Sequence, residues 1–233
     1  MENKFLSEIS FFCPAYNDEK NLPDLISAVH KFLLGIADRF EIIIVEDGSP
    51  DKTGEVADKL ASSFSNVRVI HHSRNLGYGA TLKDGFVNAR YDYIMYTDGD
   101  FQYDVNDFNP FLKLLPEADV LSGYAVKKAV NFQRKVQSEI FNFLVNILFL
   151  VNFKDVNCSM KIYKREVLKA IDIKSGSAFI DAEMLIGAKS KGFKVVQFPV
   201  THYERRSGIA SGSKLNVIVA TIKDMIRFRL GIL

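Results

Sequence analysis

The segment Glu41-Ile-Ile-Ile-Val-Glu46 does most to restrict what this chain can fold into. An unbroken β-branched row suits a strand buried on both faces, as in parallel sheets; a strand with one face in water would alternate apolar and polar residues. Three more short apolar runs follow the same plan within the first hundred residues: Ile9-Ser-Phe-Phe-Cys13, Val67-Arg-Val-Ile70 and Tyr93-Ile-Met-Tyr-Thr97. Between them lie helical stretches at 21–34, 51–64 and 80–89. In the first of these, Leu22, Leu25, Ile26, Val29, Phe32 and Leu33 share a face. Strands and helices taking turns at this spacing predict right-handed βαβ units, hence a Rossmann-like α/β fold with a mostly parallel central sheet flanked by helices.

Beyond residue 105 the pattern loosens. Asp119–Gly123 reads as a strand, 130–153 as one long helix, 182–191 as a shorter helix, 193–198 as a strand closed by Pro199, and 215–230 as a final amphipathic helix. No linker or repeat divides the chain, so a single domain over 1–233 is expected, with its halves meeting near residue 105. The 30 Lys and Arg against 28 Asp and Glu leave a net charge of +2, too small an excess for a general nucleic-acid binder. Cys13 and Cys158 match neither a disulfide framework nor a zinc site, which points to a reduced, cytoplasmic setting, and the first residues show no secretory signal.

Ligands of parallel sheets bind beyond the carboxyl ends of the strands. Each apolar run here ends there in a polar cluster: Tyr16-Asn-Asp-Glu19, Glu46-Asp-Gly-Ser-Pro-Asp51, Arg74-Asn-Leu-Gly77 and Asp98-Gly-Asp100. In the last, two carboxylates one residue apart, at the end of a buried strand, offer hard oxygen ligands suited to Mg²⁺ or Mn²⁺ shared with substrate phosphates. Asp47 is placed to accept hydrogen bonds from a nucleobase or ribose, while Ser49 or Asp51 reads as the N-cap of the following helix. Asn75-Leu-Gly-Tyr-Gly79 either presents backbone N–H groups to phosphate or packs a helix tightly; it is not a P-loop. His71 and His72 read as structural.

In order and spacing, Pro14-Ala-Tyr-Asn-Asp-Glu19, Val45-Glu-Asp-Gly-Ser-Pro-Asp51, Asn75-Leu-Gly77 and Asp98-Gly-Asp-Phe-Gln102 resemble family 2 glycosyltransferases with the GT-A fold, most nearly the dolichyl- and polyprenyl-phosphate mannosyl and glucosyl transferases. The resemblance covers roughly residues 9 to 214. It implies a nucleotide-sugar donor, a divalent metal and inversion at the anomeric carbon. Pro14, Tyr16 and Glu19 would line the base and ribose pocket, with Asp47 on the base; Asp98, Asp100 and Gln102 would hold metal and diphosphate. Arg205, Arg206, Ser213 and Lys214 resemble the stretch in which relatives grip phosphate, for which the arginine fork is suited. Asp181 and Glu183 fall where relatives carry an acid near the acceptor, and Asp181 is expected on that side as a base or a helix cap. Arg134, with Lys127 and Lys128, is a candidate for the acceptor phosphate.

The apolar stretch 140–153 has 14 residues, three of them Asn, against the roughly 20 that cross a bilayer. With Ser138, Asn142 and Asn146 as a polar stripe, it reads either as a core helix or as one lying at a membrane interface beside Lys127, Lys128, Arg134 and Lys135. Lys223, Arg227 and Arg229 give the final helix the same chemistry. The expectation is a metal-dependent inverting enzyme moving a hexose from a UDP- or GDP-sugar to a polyprenyl phosphate at the inner face of the membrane. A soluble transferase extending a cell-surface glycan or lipopolysaccharide, and a sugar-phosphate nucleotidyltransferase, are the alternatives.

Overall fold

The structure is a computed structural model in which residues 4–205 and 215–233 are described. Its elements are β1 (Leu6–Ala15), α1 (Leu22–Ile36), β2 (Ala37–Glu46), α2 (Thr53–Ser63), β3 (Val67–His71), α3 (Tyr78–Asn88), β4 (Tyr93–Tyr96), a 3₁₀ stretch (Val105–Leu114), β5 (Val120–Ala125), α4 (Phe132–Phe149), β6 (Lys161–Lys164), α5 (Arg165–Ala170), α6 (Ile180–Ser190), β7 (Val195–Val200) and α7 (Leu215–Arg229). They build one seven-stranded sheet in the order β3-β2-β1-β4-β6-β5-β7. β1, β2, β3 and β4 pair in parallel, as do β5 and β7; β6 runs antiparallel to both its neighbours.

Burial on both faces of β2 explains its unbroken apolar run. Ile42 and Ile44 join the core beneath α1, α2 and the 3₁₀ stretch, while Ile43 and Val45 join a second core beneath α3, α4 and α6. After β3 the chain returns to the other side of β1 to lay down β4. This reversal opens a crevice at the carboxyl ends of β1 and β4, the place where open α/β sheets bind ligands.

The sequence did not foretell β6. Its four residues begin and end with lysine, and Lys161 is fully buried against the apolar expectation. Pro199 lies inside β7 rather than after it; the strand continues to Val200 at the edge of the sheet, where proline is tolerated. The long helix is shorter than the expected 130–153. Leu150 takes a left-handed conformation (φ 54°) as its C-cap, and the Asn146 side chain captures both N–H and C=O of Phe153 at 2.9 Å, folding the chain back. Cys13 and Cys158 are free and buried.

The second core demands close approach. The Phe12 ring lies edge-on to Phe86, centroids 4.7 Å apart, and a Cβ built on Gly85 would fall 2.2 Å from that ring. Overpacking of this kind costs ~1–3 kcal/mol. Gly85→Ala is therefore expected to lower the urea midpoint by that free energy, with the denaturant slope unchanged.

Candidate active site

β1 ends by turning through Pro14 and Ala15, and β4 by turning through Thr97. The two exits are spliced: Gly99 N–H donates to Pro14 O at 3.1 Å, and a Cβ on Gly99 would sit 2.6 Å from that oxygen. Glycine here lets Asp98 and Asp100 lie against the end of β1. Asp18 completes the group; its Oδ2 accepts from Tyr16 N at 3.1 Å and its Oδ1 from Asn21 Nδ2 at 3.0 Å.

These acids crowd one another. Burial, then the charges of Asp100 and Asp181, push the Asp98 carboxyl up to about 7. Burial above all, with a contribution from Asp100, also raises Asp18. Compensation comes from Arg205, whose Nη2 donates to Asp100 Oδ2. Arg205 Nε is buried with no hydrogen-bond partner among the described residues.

Asp98 Oδ1 faces the Tyr78 hydroxyl at 3.1 Å, and the same hydroxyl is 3.0 Å from Asp181 Oδ2. Asp181 does not cap α6, whose N-cap position is Phe179. Asp181 is buried, its Oδ1 taken by Lys161 Nζ at 2.6 Å and by the Tyr96 hydroxyl. Glu183 is turned away to accept from Lys174 N and Ser175 N. Gln102 donates Nε2 to Tyr203 O at 2.9 Å, so its side-chain amide holds the strand-like segment that carries Arg205.

On the other side of the crevice the loops after β1 and β2 are stitched together. Asp47 N donates to Ala15 O, Lys52 N to Glu19 Oε2, and Asn17 N to Ser49 Oγ. Asp51, not Ser49, receives the Thr53 amide at the start of α2, while Lys52 occupies the N-cap position. Gly48 (φ +61°) is needed where this loop passes Arg74, whose carbonyl carbon would meet a Cβ at 2.4 Å. Asp47 is buried, accepting from Leu76 N (2.8 Å), Gly77 N (2.9 Å) and His72 Nδ1 (2.7 Å). Pro14 is buried within β1 and Tyr16 is exposed at the rim.

The site therefore gathers Pro14, Tyr16, Glu19, Asp47, Asp98, Asp100 and Arg205 at one rim. Arg134, in the first turn of α4, is near enough to His202 to act on its charge, as are Asp100 and Lys128. Arg206, Ser213 and Lys214 lie outside the described residues. Sequence reasoning missed Asp18, Tyr78 and Lys161. The first two stand in the polar clusters already singled out; Lys161 had no local signal. His72, read as structural, bridges Asp47 and Asp84.

A mostly parallel seven-stranded sheet with helices on both faces is the GT-A architecture. Glucosyl-3-phosphoglycerate synthase from Mycobacterium tuberculosis, crystallised with Mn²⁺, UDP and phosphoglyceric acid, superposes with a TM-score of 0.76 at 17% identity, over 97% of this chain and 80% of that one. The profile of glycosyl transferase family 2 matches residues 10–172, and the chain belongs to that family. It is 30% identical to polyprenol monophosphomannose synthase of Mycolicibacterium smegmatis over 90% of this chain and 83% of that protein. It is 32% identical to glycosyltransferase AglD of Haloferax volcanii over 83% of this chain, which spans 32% of that protein's length. To dodecaprenyl-phosphate galacturonate synthase of Rhizobium johnstonii it is 29% identical, over 87% of this chain and 61% of the relative.

The raised Asp98 has a consequence for stability. An unfolded aspartate ionises near 3.8 and this one at about 7, so between those values the folded chain keeps a proton the unfolded chain has lost. The metal-free protein should lose stability as pH rises from about 4 to about 7. Asp98→Asn should remove that part of the slope and raise the melting temperature at pH 8; unchanged melting profiles would contradict the assigned crowding.

Proposed function

We propose that this glycosyltransferase moves a hexose, with inversion, from a UDP- or GDP-sugar to the phosphate of a polyprenyl phosphate, with Mg²⁺ or Mn²⁺ held at Asp98 and Asp100. One observation carries the reading: acids crowded at the β1–β4 crevice until Asp98 is pushed up to about 7, with Arg205 as the described cation in contact with them. Such a donor set fits a hard divalent ion. Among the described residues no three His, Cys or acidic side chains make a complete ligand set, which suits an ion that takes one or two carboxylates and completes its shell with substrate phosphates. When bound, the ion neutralises charge on the departing diphosphate.

The remaining roles are read from placement together with the resemblance. Tyr16, Pro14, Glu19 and Asp47 form the nucleotide side. Arg205, with its free Nε, takes a diphosphate oxygen, joined by Arg206, Ser213 and Lys214 from the resemblance. An acceptor phosphate oxygen forms the new bond to the anomeric carbon; the bond to the donor diphosphate breaks and its electron pair leaves with the nucleotide. A hydroxyl acceptor needs a base, but Asp181 is tied to Lys161 and two tyrosines. A phosphate arrives already ionised, so this occupied Asp181 favours it over a sugar hydroxyl. Arg134 and Lys127, the latter lining a cavity of about 360 Å³ in which Lys128 and Lys135 are paired with Asp155 and Glu139, are the cations assigned to the acceptor side.

Membrane contact belongs to the same reading. Among the described residues no helix is long and apolar enough to cross a bilayer. α4 exposes Ile140, Phe143 and Ile147, and α7, whose Arg229 Nε donates to Leu148 O, exposes Val219, Ile222 and Ile226. Lys135, Lys223 and Arg227 lie on the same two helices. Such a surface suits peripheral docking on the anionic cytoplasmic face.

Asp100→Ala is expected to keep the fold and cut turnover ~100-fold or more, since a bound ion supplies several kcal/mol of transition-state stabilisation. Near-normal turnover would sink the proposal. Given polyprenyl phosphate and a water-soluble sugar side by side, the enzyme should glycosylate the lipid; transfer to the sugar instead would favour glycan extension. Phe143→Ser with Ile147→Ser should reduce co-sedimentation with anionic vesicles ~10-fold or more, from the apolar area withdrawn, while leaving the circular dichroism spectrum unchanged.

A further inference from the structure

His72 ends β3 with both ring nitrogens facing carboxylates: Nδ1 lies 2.7 Å from Asp47 Oδ1, Nε2 2.9 Å from Asp84 Oδ2. A neutral imidazole has one N–H and satisfies one of these acceptors; the imidazolium satisfies both. The ring is buried beside a buried Asp47, whereas Asp84 on α3 reaches solvent. The other acids near the end of β3, Glu46 and Asp58, are engaged by the neighbouring His71. The His72 backbone is fixed too, its N–H donating to Glu46 O at 2.9 Å.

Asp47 passes this order on. Its two oxygens take the amides of Leu76 and Gly77, which set the left-handed turn at Gly77 (φ +92°) and the start of α3 at Tyr78. One ring thus bridges Asp84 to the carboxylate that holds the 76–77 turn.

We propose that His72 is a positioning residue for the donor: as an imidazolium clamped between Asp84 and Asp47, it locks Asp47 and the 76–77 turn in the shape that receives the nucleotide. This rests on the assignment of Asp47 to the nucleotide side. Burial favours the neutral ring, but the two carboxylates outweigh it and hold the His72 pKa above the usual 6.5. The clamp is complete while the ring carries its proton and loosens as pH rises through that raised value. Donor binding weakens in the same direction.

The test measures affinity for UDP and GDP by calorimetry from pH 5.5 to 9, with Mn²⁺ present throughout, for wild type, Asp84→Asn and His72→Phe. The nucleotide's own phosphate titration is common to all three proteins and cancels in the comparison. Asp84→Asn removes one of the two charges that hold the proton, so its fall in affinity should come at lower pH than in wild type, with affinity at pH 5.5 retained. His72→Phe should bind about 10-fold more weakly at pH 6, as expected for loss of a charge-assisted hydrogen bond, with no step of its own at higher pH. In turnover at a pH between the wild-type and Asp84→Asn falls in affinity, both variants should raise the donor KM and leave kcat within about twofold. Histidine ring ¹⁵N spectra of the wild type should show His72 protonated on both nitrogens at pH 6.5, which reads the clamp without any ligand. A neutral ring in those spectra, or superimposable affinity profiles for wild type and Asp84→Asn, overturns the inference while leaving the transferase reading intact. Failure of wild type to bind either nucleotide at any pH overturns both.

Discussion

Lys161 enters the interior from β6, the strand that runs against its neighbours, and its ammonium ends 2.6 Å from Asp181 Oδ1. It also reaches the Tyr96 hydroxyl at 3.0 Å and the carbonyl of Cys158. A buried ion pair of this kind is weak evidence for net stability, but removing one partner would strand a charge in low dielectric, which costs several kcal/mol. Its effect on the site is to settle Asp181. Asp181 still adds to the crowding that raises Asp98, and the repulsion between Asp98 and Asp100 is answered by Arg205 and, in the proposed function, by a metal ion. The antiparallel strand thus serves the chemistry by delivering a cation where a parallel strand's loop would not reach.

The long helix shows how composition misleads when read without a partner surface. Ser138, Asn142 and Asn146 form the polar stripe that a solvated face would need, yet they point into the protein: Ser138 receives Lys128 Nζ, Asn142 Oδ1 accepts from Val156 N, and Asn146 holds Phe153. Water-facing positions go to Ile140, Phe143 and Ile147. The inversion has a physical cause. The 153–156 segment lacks sheet partners for its backbone groups, and side-chain amides on α4 satisfy them. The outward apolar face is what remains.

Much of the fold was legible because a doubly buried strand leaves a periodicity of its own, and because polar residues placed just after such strands collect at one rim. β1 to β4 and α1 to α3 were found within a few residues, and so were the strand ends at which Asp47, Asp98 and Asp100 lie. What stayed hidden was set by tertiary contact. β6 is four residues long with a buried lysine, which no hydropathy pattern marks. The job of Gln102 depends on Tyr203, a hundred residues away, and the burial of Asp181 depends on three side chains from α3, β4 and β6. Family resemblance located Asp181 in the sequence but did not show which way it faces.

β4 is hydrogen-bonded to β1 along one edge and to β6 along the other, so the stretches of chain before and after residue 105 are cut from a single slab. A slab of this kind has no seam about which two lobes could swing like a jaw. Whatever closes over a substrate during turnover must then be drawn from the connections above the strand ends. The pace of opening would be governed by short segments such as the turn at Gly77, rather than by the massive body beneath them.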